Sequence, residues 1–315
     1  MNKSSNENAS IPKKEKHVRD SYFRNTGPLN FKSRISEQPG DIMTISSNEV
    51  VTIPPTMSII GAVRTMLDKA FRRLPVADAG TNRLEGIVTS KDVVDFLGGG
   101  TRHLIVKNRY KGNFLAAVNG NISEIMEENV VSLNVKDSLK DALDTMIKDN
   151  VGGIPVTDDD MKVKAIISEK DFVFLISGIM TGKTVKEYMS KNIVTAPPDM
   201  PIGNAAKSMI KNGFRRLPVV REDVLIGIIT ASDIMRFLGS GDIFEKLVTG
   251  SNDEIFRVPI NTLIKKEVFF TGTETDLGEA ASIMLEKNIG SLPVFENSHL
   301  KGIITERDIV RSMTE

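Results

Sequence analysis

Four tetrads of one pattern hold the side chains best suited to chemistry in this sequence. They are Thr89-Ser90-Lys91-Asp92, Ser168-Glu169-Lys170-Asp171, Thr230-Ala231-Ser232-Asp233 and Thr305-Glu306-Arg307-Asp308. Each puts a hydroxyl three residues before a carboxylate, at the start of a helical pattern. A carboxylate offers two strong acceptor oxygens, and a helix N-terminus offers free N–H groups to an anion. The same spacing fits a capping box, with Thr or Ser at the N-cap and an acid three residues on. That box usually carries Glu or Gln, and Asp is a short arm for reaching back to the N-cap N–H. Capping accounts for any single copy; Asp in all four, within one strand framework, points to ligand binding. Two arginine pairs add cationic chemistry, in Phe71-Arg72-Arg73-Leu74-Pro75-Val76 and Phe214-Arg215-Arg216-Leu217-Pro218-Val219. Arginine is always charged and meets phosphate-like anions with two parallel donors. The aligned positions of the other two copies are Gly152-Gly153 and Gly290-Ser291.

The rest of the composition narrows the classes. The 315 residues have room for about two ordinary domains. Hydrophobic content of 40% and charged content of 26% are those of a soluble globular protein. Lys+Arg and Asp+Glu balance at 41 each, so no global field marks a nucleic-acid binder. The absence of cysteine removes disulfides, thiol nucleophiles and cysteine-based metal sites, and His17, His103 and His299 show no ligand spacing. With no nucleophile system, metal constellation or P-loop, no enzyme is expected. No apolar run nears the ~20 residues of a membrane span, and no signal peptide is visible, so a cytoplasmic location is the expectation. Residues 1–36 carry eight basic and three acidic side chains without apolar periodicity. Such a segment reads as a disordered basic tail.

The elements that must position the tetrads repeat with them. One helix per copy has apolar residues at i, i+3, i+4, i+7 and i+8, beginning at Ile59, Leu139, Ile202 and Leu277. Its methionine (Met66, Met146, Met209, Met284) always precedes the motif proline by nine residues and reads as core filler on the buried face. A short strand opened by the proline, a polar turn and a second apolar strand lead into the tetrad and a second helix. Each copy is thus β-α-β-β-α, a mixed α/β (α+β) unit that needs a partner to cover its sheet. Copies 1 and 3 share the arginine pair and Phe-Leu-Gly-x-Gly (96–100 and 237–241), whereas copies 2 and 4 share Asn-apolar-Gly (150–152 and 288–290). The duplicated unit was therefore a pair, which implies modules at about 37–180 and 181–315. The individual repeats fall at 37–100, 101–180 with a leading linker, 181–241, and 242–315 with a second linker.

The apolar-Pro-Val strand, the Gly-led apolar strand and Thr/Ser-x-x-Asp at this spacing resemble the CBS (cystathionine β-synthase) domain, two of which form a Bateman module. Four copies with two Arg-Arg-Leu-Pro-Val motifs make the chain similar to archaeal homologues of the γ regulatory subunit of AMP-activated protein kinase. The resemblance covers roughly residues 41–313 and implies two Bateman modules in a disk, within a monomer or a homodimer. It implies that Asp92, Asp171, Asp233 and Asp308 accept from ribose hydroxyls. Thr89, Ser168, Thr230 and Thr305 would face phosphate, with Arg72, Arg73, Arg215, Arg216, Lys170 and Arg307 as cations. Adenine would rest on Val51 and Thr52, Val130 and Val131, Ile193 and Val194, and Val268 and Phe269. Sites in the family are composite. Asp171 is then expected to face Arg72-Arg73 and Asp308 to face Arg215-Arg216, while Asp92 and Asp233 face glycines. The implied function is non-catalytic sensing of AMP, ADP or ATP for a regulated protein partner, with no cofactor and no membrane. Alternatives are S-adenosylmethionine or methylthioadenosine as ligand, nucleic-acid association through the tail, or a scaffold with vacant clefts.

Overall fold

The computed structural model describes residues 35–239, 256–264 and 267–314. The basic segment expected to be disordered lies outside these residues except for Ile35 and Ser36, as do Ser240 and Gly241. Ser36 belongs to the fold, since its carbonyl accepts the Lys140 N–H at 3.1 Å. Repeat 1 comprises α1 (Ile59–Asp68), β1 (Arg73–Ala77), β2 (Leu84–Thr89) and α2 (Ser90–Val94). A connection containing α3 (His103–Asn108) and α4 (Phe114–Val118) precedes repeat 2, which has β3 (Leu133–Asn134), α5 (Leu139–Lys148), β4 (Gly153–Thr157), β5 (Val163–Ser168) and α6 (Glu169–Ile176). Repeat 3 contains α7 (Ile202–Asn212), β6 (Arg216–Arg221), β7 (Val224–Thr230) and α8 (Ala231–Gly239). Repeat 4 contains β8 (Thr271–Gly272), α9 (Leu277–Glu286), β9 (Ser291–Glu296), β10 (His299–Thr305) and α10 (Glu306–Ser312).

The constant methionine–proline spacing has a local cause. Each first helix ends in a Schellman motif, in which one left-handed residue turns the chain out of the helix. The left-handed residues are Ala70 (φ 53°), Asn150 (φ 53°), Gly213 (φ 70°) and Asn288 (φ 50°). The next residue, Phe71, Val151, Phe214 or Ile289, donates its N–H to the methionine carbonyl at 2.8, 3.1, 2.8 and 2.8 Å respectively. The methionine side chains are at most 1% exposed, which places them in the core. The strand then begins at a fixed distance from the helix end.

The four hairpins share one register, with Pro75 opposite Ile87, Pro155 opposite Ile166, Pro218 opposite Ile228 and Pro293 opposite Ile303. Each proline is therefore the third residue of its strand and does not open it. The ladder tolerates this because a residue's N–H and C=O leave the same edge of a strand, and here that edge faces away from the hairpin partner. On that side only the carbonyl is used in repeats 1 and 3: Pro75 accepts from Ile53 at 3.1 Å and Pro218 from Ala196 at 2.9 Å. The expected first strand is accordingly minimal. It is a single parallel bridge at Ile53 and Ala196, and the two-residue β3 and β8 in repeats 2 and 4.

Repeats join in two different ways. Backbone pairs link 1 to 2 and 3 to 4, where Ile87 and Glu127 exchange hydrogen bonds of 2.9 and 2.8 Å, as do Ser47 and Ile166 at 3.0 and 3.1 Å, and Ser190 and Ile303 at 2.9 and 3.0 Å. Side-chain burial links 1 to 3 and 2 to 4. One core unites Val63, Met66 and Phe96 with Met209, Ile234 and Leu238, and the other unites Met146, Phe172 and Ile176 with Met284, Ile309 and Val310. The helices approach closely enough that a Cβ at Gly99 would lie 2.4 Å from Ile210 Cγ1. The four repeats thus close into a ring.

Among the four Schellman residues, only Ala70 pays a steric penalty without the local hydrogen bonding of Asn or the freedom of Gly. It is exposed, so replacement disturbs little packing. Ala70→Gly is expected to stabilise the chain by about 1 kcal/mol, read as a higher urea midpoint at unchanged slope.

Candidate functional site

All four tetrads cap the helix they open, and Asp proves long enough for the task. Thr89, Ser168, Thr230 and Thr305 each donate backbone N–H to the Oδ2 of the aspartate three residues on, at 2.8, 2.7, 3.0 and 2.9 Å. Their hydroxyls donate to the same Oδ2 at 2.7, 2.8, 2.6 and 2.7 Å. The hydroxyl protons assigned by resemblance to phosphate are thus engaged by the neighbouring carboxylates. This use of a single oxygen leaves Oδ1 of each aspartate for other work.

The Oδ1 atoms divide the sites into two kinds. Asp92 Oδ1 lies 3.1 Å from Arg102 Nη1, and Asp233 Oδ1 lies 2.9 Å from Arg236 Nη1. Arg102 is anchored by donating Nε to the Ile125 carbonyl at 2.8 Å, whereas the Arg236 side chain is half exposed. Asp171 and Asp308 have no such hydrogen bond or ion pair to Oδ1 among the described residues. Burial pushes Asp171 up to about 6, against the hydrogen bonds of Ser168 and the charge of Arg73. Burial likewise raises Asp308, against Thr305, Arg311 and Arg216. Of the arginines expected to face these carboxylates, Arg73 acts on Asp171 and Arg216 on Asp308, whereas Arg72 and Arg215 go instead to Glu306 and Glu169.

The arginine pairs converge where the four repeats meet, and the two members of each pair behave differently. Arg72 forms an ion pair with Glu306 of the other module. Its counterpart Arg215 reaches Glu169 Oε2 at 2.9 Å, and Arg307 Nε reaches Glu169 Oε1 at 2.6 Å. Arg73 lies against Gly153, and Arg216 Nη1 donates to the Gly290 carbonyl at 2.6 Å. Burial, and next the charge of Arg215, lowers both Arg73 and Arg216 to about 10. Burial would raise Glu169, but Arg215, Arg307 and Arg73 outweigh it and hold the carboxyl below its usual range. Five guanidiniums (72, 73, 215, 216, 307) therefore face two glutamates, an excess of three positive charges before Asp171 and Asp308 are counted. Lys170 turns outward from this centre to the Asn288 side chain at 2.8 Å.

A cavity of about 270 Å³ opens at Asp233, bounded by Thr230, Val268, Phe269, Gly290 and the guanidiniums of Arg72, Arg215 and Arg216. The sequence ranks this site below those of Asp171 and Asp308 because its partner strand carries glycine; Arg216 enters it from the start of β6 in the same repeat, Arg215 from the residue before β6 and Arg72 from the residue before β1. Val51, Thr52, Val130, Val131, Ile193, Val194, Val268 and Phe269 are all half-buried. Val268 and Phe269 line the cavity, and Thr52 donates its hydroxyl to Asn82 Oδ1 at 3.0 Å. Sequence reasoning overlooked Arg102, Arg236, Glu169 and Glu306. For the glutamates a signal existed, since acids at the second tetrad position occur only in the copies that lack the arginine pair.

Tandem strand–helix repeats with composite clefts between them define the architectural class. A sequence profile of the CBS domain matches residues 40–99, 122–178, 185–240 and 260–315, and the chain belongs to the CBS-domain family. It is 39% identical over 273 residues to the uncharacterized protein MJ1225 of Methanocaldococcus jannaschii, covering 86% of this chain and 98% of that one. The crystal structure of MJ1225, described as a proposed archaeal homologue of γ-AMPK, superposes with a TM-score of 0.82 at 38% identity, covering 86% of this chain and 99% of that one. A protein encoded in the ribosomal RNA operon of Thermofilum pendens is 27% identical over 83% of this chain and 87% of its own length. An uncharacterized conserved protein of Pyrococcus horikoshii shares the fold, with a TM-score of 0.56 at 19% identity over 86% of this chain and 99% of its own.

Asp171 gives a pH test of the site. Between roughly pH 4 and 6 the folded chain holds a proton that the unfolded carboxyl has released. Its contribution to stability therefore falls as the pH climbs through that window. Asp171→Asn, which keeps an acceptor for Ser168, is expected to be more stable than wild type at pH 7, with the difference shrinking towards pH 4. Thermal unfolding at both pH values measures this, and an equal difference at both would show an ordinary carboxyl.

Proposed function

We propose that the chain is a non-catalytic regulatory protein that binds adenine nucleotides in its inter-repeat clefts and signals their level to a protein partner. The observation that carries the reading is the cluster of five guanidiniums against two glutamates and two aspartates, an excess of one positive charge, in which neither aspartate has a hydrogen bond or ion pair to Oδ1 among the described residues. A partly buried cation excess calls for an anion, and arginine forks match phosphate oxygens. Asp171 and Asp308 supply acceptors for a ribose diol, and Arg73 and Arg216 meet the phosphate. The half-buried apolar residues opening each repeat accommodate adenine, largely through their backbone. A sulfonium ligand such as S-adenosylmethionine has no use for this cation excess. The likeness to MJ1225, a proposed γ-AMPK homologue, supports the regulatory part of the reading, and a cytoplasmic location is proposed with it. No helix of the described residues is long and apolar enough to cross a membrane.

Ligand binding regulates only if it distinguishes two states of the chain. Thermal-shift and calorimetric titrations with AMP, ADP, ATP and S-adenosylmethionine test the ligand class. At a free concentration a hundredfold above Kd, one nucleotide site stabilises the fold by roughly 2.7 kcal/mol. Asp171→Ala with Asp308→Ala is expected to abolish most of that gain. A response confined to S-adenosylmethionine would replace the proposed ligand, and silence from every ligand would leave a scaffold.

A further inference from the structure

Two buried carboxylates stand where an anion-binding site would not be expected to have them. Glu169 and Glu306 are 1% and 4% exposed and occupy the second tetrad position of repeats 2 and 4. Repeats 1 and 3 carry Ser90 and Ala231 there. A buried carboxylate needs paired cations, and these come largely from the opposite module. Arg215 and Arg307 hold Glu169, and Arg72 holds Glu306. The glutamates thereby withdraw three of the five central guanidiniums from any ligand. The remaining two, Arg73 and Arg216, have no ion pair among the described residues, and their charges act on Asp171 and Asp308 respectively. One guanidinium fork suits one phosphoryl group.

Distance decides what happens to further phosphoryl groups. A Cβ placed on Gly152 would lie 2.9 Å from Glu169 Oε2 and 3.1 Å from the Nη2 atoms of Arg73 and Arg215. The glutamate and the uncommitted guanidinium thus share the space of a single side chain. At Gly290 the corresponding Cβ would lie 2.8 Å from both Glu306 Oε2 and Arg72 Nη2. A phosphoryl chain extending beyond Arg73 or Arg216 into the centre meets carboxylates already paired with guanidiniums, so it gains less there than it would from free arginines.

We propose that Glu169 and Glu306 are specificity-determining residues that restrict the Asp171 and Asp308 sites to nucleoside monophosphates. They do so by reserving Arg215, Arg307 and Arg72, so that a second and third phosphate find no free guanidinium. The inference rests on the adenine-nucleotide reading above and adds the number of phosphates to it. It is tested by calorimetric Kd values for AMP and ATP, measured on the full chain at one ionic strength. Wild type is expected to bind AMP on the order of tenfold more tightly than ATP. In Glu169→Gln with Glu306→Gln, which keeps side-chain shape, the affinity of ATP relative to AMP is expected to rise by at least that factor. A folded double variant that retains the wild-type ratio overturns the proposal. So does a wild-type chain that binds ATP as tightly as AMP, a result that needs no variant. Failure of wild type to bind either nucleotide overturns the functional reading itself, and this inference falls with it.

Discussion

The arrangement of the four repeats turns on the crossed ion pairs Arg72–Glu306 and Arg215–Glu169. Each joins an arginine from one module to a glutamate of the other. Buried pairs of this kind add little net stability, because desolvation offsets most of their attraction. Loss of one partner is a different matter, since it strands a buried charge at a cost of about 3–5 kcal/mol. Here the stranded charge would lie among like charges, for Arg73 and Arg216 already have their pKa lowered by burial and by Arg215. The pairs therefore match charge between the two modules where their arginines would otherwise face one another.

The same constraint explains the division of sequence between odd and even repeats. The odd copies carry arginine pairs and the even copies carry small residues at the aligned positions, Gly152-Gly153 and Gly290-Ser291. Those small residues make room for the guanidiniums, as the close approach of Arg73 to Gly153 and of Arg72 to Gly290 shows. Charge and space are thus complementary between copies. Duplication of a pair, rather than of a single repeat, preserves that complementarity in both modules.

Much of the fold was legible because its signals are local. The methionine–proline interval records a helix end, and the left-handed residue between them is readable as Asn or Gly in three copies of four. The alternating helix faces marked the core correctly, down to Met66, Met146, Met209 and Met284. What the sequence obscured lies across long separations or in small reaches of geometry. Nothing local says that the core of repeat 1 continues into repeat 3, or that Arg72 meets a glutamate 234 positions away. The proline at the third strand position was misplaced because its edge orientation is settled by the partner strand. The reach of Asp back to the N-cap was underestimated, since a close carboxylate geometry replaces the longer Glu arm. Arg102 was invisible as a partner of Asp92 because it lies in the connection after the repeat, outside the strand-and-tetrad motif.

Alternation of backbone and side-chain joints around the ring has a mechanical consequence. Most repeat proteins are open stacks whose ends can fray or shift independently. Here repeat 1 is hinged to 2 by strand pairing and welded to 3 by a shared core, and repeat 4 closes the circuit through the same two kinds of joint. Four bodies joined in a loop form a linkage with fewer freedoms than joints. A change of angle at one cleft cannot be absorbed there, so the opposite cleft must move with it.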